Sequence, residues 1–92
     1  MNDYQQAPTA RLDYAVDWGP FLDSLGGDFI VTAEWVHVSE GLDIEDQGFE
    51  GGLHVVYVSG GEPMQTYRIT SRVTTDAGRV AEETITFFIR RT

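Results

Sequence analysis

Residues 67–91 read YRITSRVTTDAGRVAEETITFFIRR, and this stretch decides the fold class. Side chains along a strand point alternately to its two sides, so every second residue belongs to one face. Tyr67, Ile69, Ser71 and Val73 fall on one face, and Arg68, Thr70, Arg72 and Thr74 on the other. After Asp76-Ala77-Gly78 the alternation resumes, with Ile85, Phe87 and Ile89 on an apolar face and Thr84, Thr86 and Arg90 opposite. Phe88 interrupts the polar side. Glycine tolerates the positive φ that tight reversals require, so the segment reads as a hairpin of two long antiparallel strands.

Upstream, the same period recurs. Leu12, Tyr14, Val16 and Trp18 alternate with Asp13, Ala15 and Asp17, a half-buried strand broken by Gly19-Pro20. Phe21-Leu22-Asp23-Ser24-Leu25 has the spacing of one helical turn, placed to plug an end of the fold with Phe21, Leu22 or Leu25 inward. The run 28–38, DFIVTAEWVHV, is β-branched and aromatic. Phe29, Val31, Ala33 and Trp35 form one face, which we place inward. Its second face is also partly apolar, which suits a central strand or an internal bulge. Leu42 and Ile44 begin a short edge strand, and Asp43–Glu50 reads as an acidic mobile loop. Leu53, Val55 and Tyr57 alternate with His54, Val56 and Val58 in a further central strand, followed by the Ser59-Gly60-Gly61-Glu62-Pro63 loop. Residues 1–11 are polar and aperiodic at first and are assigned to a flexible N-terminal arm, with residues 12–92 as the domain. Six to seven strands divided by Gly- and Pro-containing turns indicate an all-β fold, an immunoglobulin-like antiparallel β-sandwich.

Ninety-two residues suit one domain with a modest core. The absence of cysteine excludes disulfides and thiolate metal sites and suits a reducing compartment. No segment approaches the roughly 18–20 apolar residues of a membrane helix, so a soluble protein made in the cytoplasm, without membrane partners, is expected. The net charge is −9, and all six basic residues are arginine. Such a chain repels phosphate backbones, so nucleic acid is not an expected partner. Five of the arginines, Arg68, Arg72, Arg79, Arg90 and Arg91, crowd the last third and could set how partners dock.

Catalytic chemistry finds little support. The chain has no cysteine, no lysine and no nucleophile elbow, and Glu82 and Glu83 point to opposite sides of a strand. His37 and His54 are the only histidines, and ordinary strand positions explain them better than a metal pair. The carboxylates of 43–50 invite a calcium reading, but their order matches no EF-hand loop. Solvated charge guarding an edge strand is the simpler account. No enzyme activity, cofactor or metal is expected.

Tyr67 opens a long strand after a Gly-Gly loop, the place where immunoglobulin-type sandwiches turn a tyrosine hydroxyl back onto the preceding loop, the tyrosine corner. A generic core tyrosine is the plainer reading of the same residue. Ile69 occupies the position of the second disulfide cysteine of antibody domains, as suits a cysteine-free member.

Taken in order, several motifs resemble those of the small phage proteins called fiber-tail adaptors. Asp13, Tyr14, Asp17, Trp18, Phe21 and Leu22 match their opening, and Val58-Ser59-Gly60-Gly61 their turn. Tyr67, Ile69 and Thr70 match a Y-x-[IV]-T strand, and Thr74, Thr75, Gly78 and Arg79 a hairpin tip. Phe21 stands where tryptophan is common, and the acidic 43–50 segment departs from the pattern. The resemblance implies a non-enzymatic component of a phage or prophage tail that joins neighbouring virion proteins, with self-association in the assembly as an option. It also implies residence in the host cytoplasm at synthesis and in the virion tail once assembled. Arg68, Arg72 and Phe88, on outward sheet faces, are the candidate contact residues. The alternative is a stand-alone carbohydrate- or cell-surface-binding module, which requires Trp18, Trp35 or Tyr57 to face out.

Overall fold

The computed structural model describes residues 3–91. Seven strands and one helix follow in order: β1 (Asp3–Gln6), β2 (Arg11–Asp17), α1 (Gly19–Ser24), β3 (Ile30–Val36), β4 (Leu42–Glu50), β5 (Leu53–Gly60), β6 (Thr66–Thr75) and β7 (Val80–Ile89). They form two stacked sheets, β1-β7-β6-β3 and β2-β5-β4. Strand order β7-β6-β3 facing β2-β5-β4 is the G-F-C against B-E-D arrangement of immunoglobulin-like sandwiches. All pairings are antiparallel except β1 with β7, which is parallel.

The organising hairpin is β6–β7, in unbroken register from Thr66↔Phe88 to Thr74↔Val80. Its inward residues Ile69, Val73, Ile85, Phe87 and Ile89 are fully buried, against Val56 and Val58 of the opposite sheet. Each such side chain contributes about 1.5–3 kcal/mol when withdrawn from water. Gly61, in the β5–β6 loop, sits at φ 89°, and a Cβ there would lie 2.8 Å from Ile89 Cγ1. Only glycine lets the loop close over this end of the core. At the hairpin tip Asp28 binds Arg79 Nη1 at 2.9 Å and receives the Phe29 and Ala77 N–H groups. Its carboxyl is held below the usual aspartate range, first by the Thr75 hydroxyl and then by Arg79 and these amides.

Helix α1 starts with Pro20 in its first turn, where the missing N–H costs nothing. Leu22 is buried, and Phe21 packs edge-on against Trp18 with ring centroids 5.5 Å apart.

Three expectations are corrected. Asp3–Gln6 is not a flexible arm but strand β1, paired with Thr86–Ile89. Tyr4 packs against Tyr14 and Phe87, and Gln6 is buried; Met1 and Asn2 lie outside the described residues. The acidic 43–50 segment is not a mobile loop, because β5 supplies backbone partners along its length and β4 runs to Glu50. One extra residue is taken up between Asp46 and Phe49, where Gly48 adopts φ 78° and Asp46 Oδ1 accepts the Gly48 N–H at 2.7 Å. The 28–38 run is an edge strand rather than a central one. A bulge at Val31 splits its expected face: Ala33 and Trp35 turn inward, while Phe29 and Val31 are exposed and Ile30 is buried instead.

Candidate interaction surfaces and the buried polar cluster

The outward face of the four-stranded sheet carries the residues singled out for contact. Register places Arg68 opposite Thr86, Arg72 between Glu82 and Glu34, and Phe88 between Thr66 and Gln5. Arg72 is already engaged, with Nε donating to Glu82 at 2.7 Å and Nη1 lying 3.5 Å from Glu34. Its pKa is raised, chiefly by the Glu82 hydrogen bond. Arg68 is exposed and has no ion pair among the described residues. Phe88 is half-buried rather than fully exposed. The five late arginines do not gather in one place: Arg79 binds Asp28 at the hairpin tip, and Arg90 and Arg91 follow β7 at the opposite end.

Tyr67 is buried at the start of β6, and its Oη accepts the Glu62 N–H from the preceding loop at 2.7 Å. The same loop is tied down by Gly61 N–H to the Gly41 carbonyl and Met64 N–H to the Ile89 carbonyl.

The two histidines have different surroundings. His37 is exposed just past β3, at φ 51°. His54 is fully buried, contrary to the expectation of an ordinary surface or half-buried position. It lies on the inward face of β5 with Val56 and Val58, because the Leu53, Val55 and Tyr57 face turns out. Trp35 stacks on its imidazole at 4.2 Å, so β3 and β5 meet across the sandwich. Ser71 Oγ on β6 accepts the Trp18 Nε1–H at 3.1 Å and lies 2.7 Å from His54 Nδ1. Among the described residues Nε2 has no hydrogen-bond partner, and it is 3.5 Å from Asp46 Oδ1. Burial pushes the His54 pKa down, and Asp46 opposes that shift in part.

A second buried polar group went unread in the sequence. Gln6 donates from Nε2 to the carbonyls of Val58 (3.0 Å) and Ala10 (3.2 Å), and its Oε1 accepts the Tyr14 hydroxyl at 2.7 Å. The alternation of Tyr4 with Gln6 was the only available signal. His54 could have been found from its period-two companions Val56 and Val58.

The outer face of the three-stranded sheet is acidic, carrying Asp13, Asp17, Asp43, Glu45 and Glu50 with Arg11 alone of the opposite sign. Arg11 pairs with Glu45 and lies over the Tyr57 ring at 4.2 Å. Of the three aromatics a ligand-binding module would display, Trp18 is in the core and Trp35 faces inward, while Tyr57 lies on the outer face beneath Arg11. Among the described residues there is no pocket, no group of three or more metal-ligating side chains, and no helix long and apolar enough to cross a membrane.

The family described as Podophage GP4 fiber-tail adaptor protein gp77 matches residues 6–88, from the buried Gln6 of β1 to Phe88 of β7. No curated protein matches the chain.

Proposed function

Because this chain belongs to the podophage fiber-tail adaptor family, we propose that it is a non-enzymatic structural adaptor that joins neighbouring proteins of a phage tail. The family match over 6–88 carries this reading. A sandwich stiffened by two inter-sheet polar bridges offers faces and edges at fixed spacing, which is what a connector between two neighbours needs. The contact surface is the outward face of the four-stranded sheet around Arg68, Arg72 and Phe88. Arginines and aromatics anchor protein interfaces because they combine large contact area with directional hydrogen bonding. Tyr67 serves as the tyrosine corner that fixes the 60–66 loop over the end of the core. Its partners are proteins, since a net charge of −9 repels nucleic acid. The protein is made in the host cytoplasm and carried in the tail, where further copies of the chain are potential neighbours.

The test is incorporation into tails. Arg68→Glu with Phe88→Ala leaves the Glu34–Arg72–Glu82 row intact, so the fold is expected to survive while incorporation is lost. Normal incorporation of the folded double variant would sink the assignment of this surface.

A further inference from the structure

The two sheets present four open edges, and three are guarded. β1 is only four residues long. β2 carries Arg11, Asp13 and Asp17. β4 carries Asp43, Glu45, Asp46 and Glu50 and is bulged. Charge, shortness and bulges are the devices that keep edge strands from pairing with other chains. β3 has a single charge, Glu34, in seven residues. Its bulge sits at Val31, leaving Thr32–Val36 in regular register with β6 and, among the described residues, with no strand on the other side.

Cross-strand rows on the outward face state what would fit there. One row reads Glu82, Arg72, Glu34, so a single guanidinium is shared by two carboxylates and the row ends on an unbalanced negative charge at the open edge. The rows on either side read Thr84, Thr70, Val36 and Val80, Thr74, Thr32, small or β-branched and uncharged. A second copy is a poor occupant: pairing β3 with β3 sets Glu34 beside Glu34 or against threonine, between bodies of charge −9 each.

We propose that the open edge of β3 accepts an extended segment of a different protein, added as a fifth strand, with a lysine or arginine opposite Glu34 flanked at every second position by β-branched residues. Strand addition supplies backbone hydrogen bonds, and the cation completes the alternating charge row. This rests on the adaptor reading and names a second contact surface of that adaptor.

The probe is the acetylated and amidated peptide TVTVKVTVT, with a counterpart carrying glutamate in place of lysine, titrated into the full-length, isotopically labelled chain. The lysine peptide is expected to shift backbone amides over 29–36, and the glutamate peptide to bind about tenfold more weakly. Glu34→Lys is expected to reverse that preference, and Thr32→Lys to reduce binding of the lysine peptide without changing the thermal midpoint. Absence of binding, shifts confined to the acidic β2-β5-β4 face, indifference to the charge exchange, or self-association through β3 each overturn the proposal. Tail incorporation separates the two readings: a folded Thr32→Lys chain that enters tails normally overturns the edge proposal alone. A wild-type chain that never enters tails overturns the adaptor reading.

Discussion

Gln6 and His54 are both buried, both polar, and both bridge the two sheets, yet they are finished differently. Gln6 closes one end with every donor and acceptor occupied. His54, toward the other end, satisfies Nδ1 through Ser71 and leaves Nε2 facing Asp46 at 3.5 Å. A neutral amide can be saturated and then holds its geometry at any pH. An imidazole in the same role keeps a titratable site, and burial favours its neutral form. Buried polar groups of equal exposure therefore stabilise under different conditions.

The comparison is broken most severely at Gln6. Gln6→Leu removes the amide bonds to the Val58 and Ala10 carbonyls and the acceptor of the Tyr14 hydroxyl, with an expected loss of about 3 kcal/mol, or about 15 °C in thermal midpoint. Calorimetry measures this directly, and a loss below about 1 kcal/mol would show the clasp to be dispensable. At the other end, Ser71→Ala orphans Trp18 Nε1–H and His54 Nδ1 in one step. A loss of about 2 kcal/mol in urea unfolding is expected, smaller because one hydroxyl rather than an amide is removed. The smallest effect is the one that distinguishes the two regions. The folded chain holds the His54 pKa below its ordinary 6.5, so as pH falls past that value the unfolded chain takes the proton first. The His54 contribution is full above pH 6.5, declines as pH falls from there to the folded value, and is level below it. Asp46 tempers the effect by favouring the charged ring. Urea midpoints between about pH 7.5 and 5.5 should fall for the wild type and flatten in His54→Leu, whereas Gln6→Leu should lower the curve without changing its slope.

Much of the sandwich was legible in the alternation itself. The β6–β7 hairpin, the inward set from Tyr67 to Ile89, the α1 plug and the β5 strand all follow from spacing and turn residues. The acidic 43–50 segment misled because its composition resembles that of a loop. β5 provides a ladder partner along its length, and a ladder tolerates charge wherever side chains face water. β3 misled at its face because one bulged residue at Val31 inverts the parity of everything before it. β1 was invisible, since four mostly polar residues carry too little pattern to distinguish a strand from a tail. The proposed contact residues Arg68, Arg72 and Phe88 lie on one outward face as alternation implied, but the neutralisation of Arg72 by Glu34 and Glu82 depends on pairings no local pattern contains.

Alternation by itself determined the strands, their apolar sides and hence an all-β sandwich, because side-chain direction along an extended chain is a local property. Tertiary structure decided which polar groups could be buried. Gln6 needs the Val58 carbonyl 52 positions away, and Trp18 needs Ser71 at a separation of 53. A polar side chain leaves water only where such distant partners have already been brought together, and that is a property of the stacked sheets rather than of any segment.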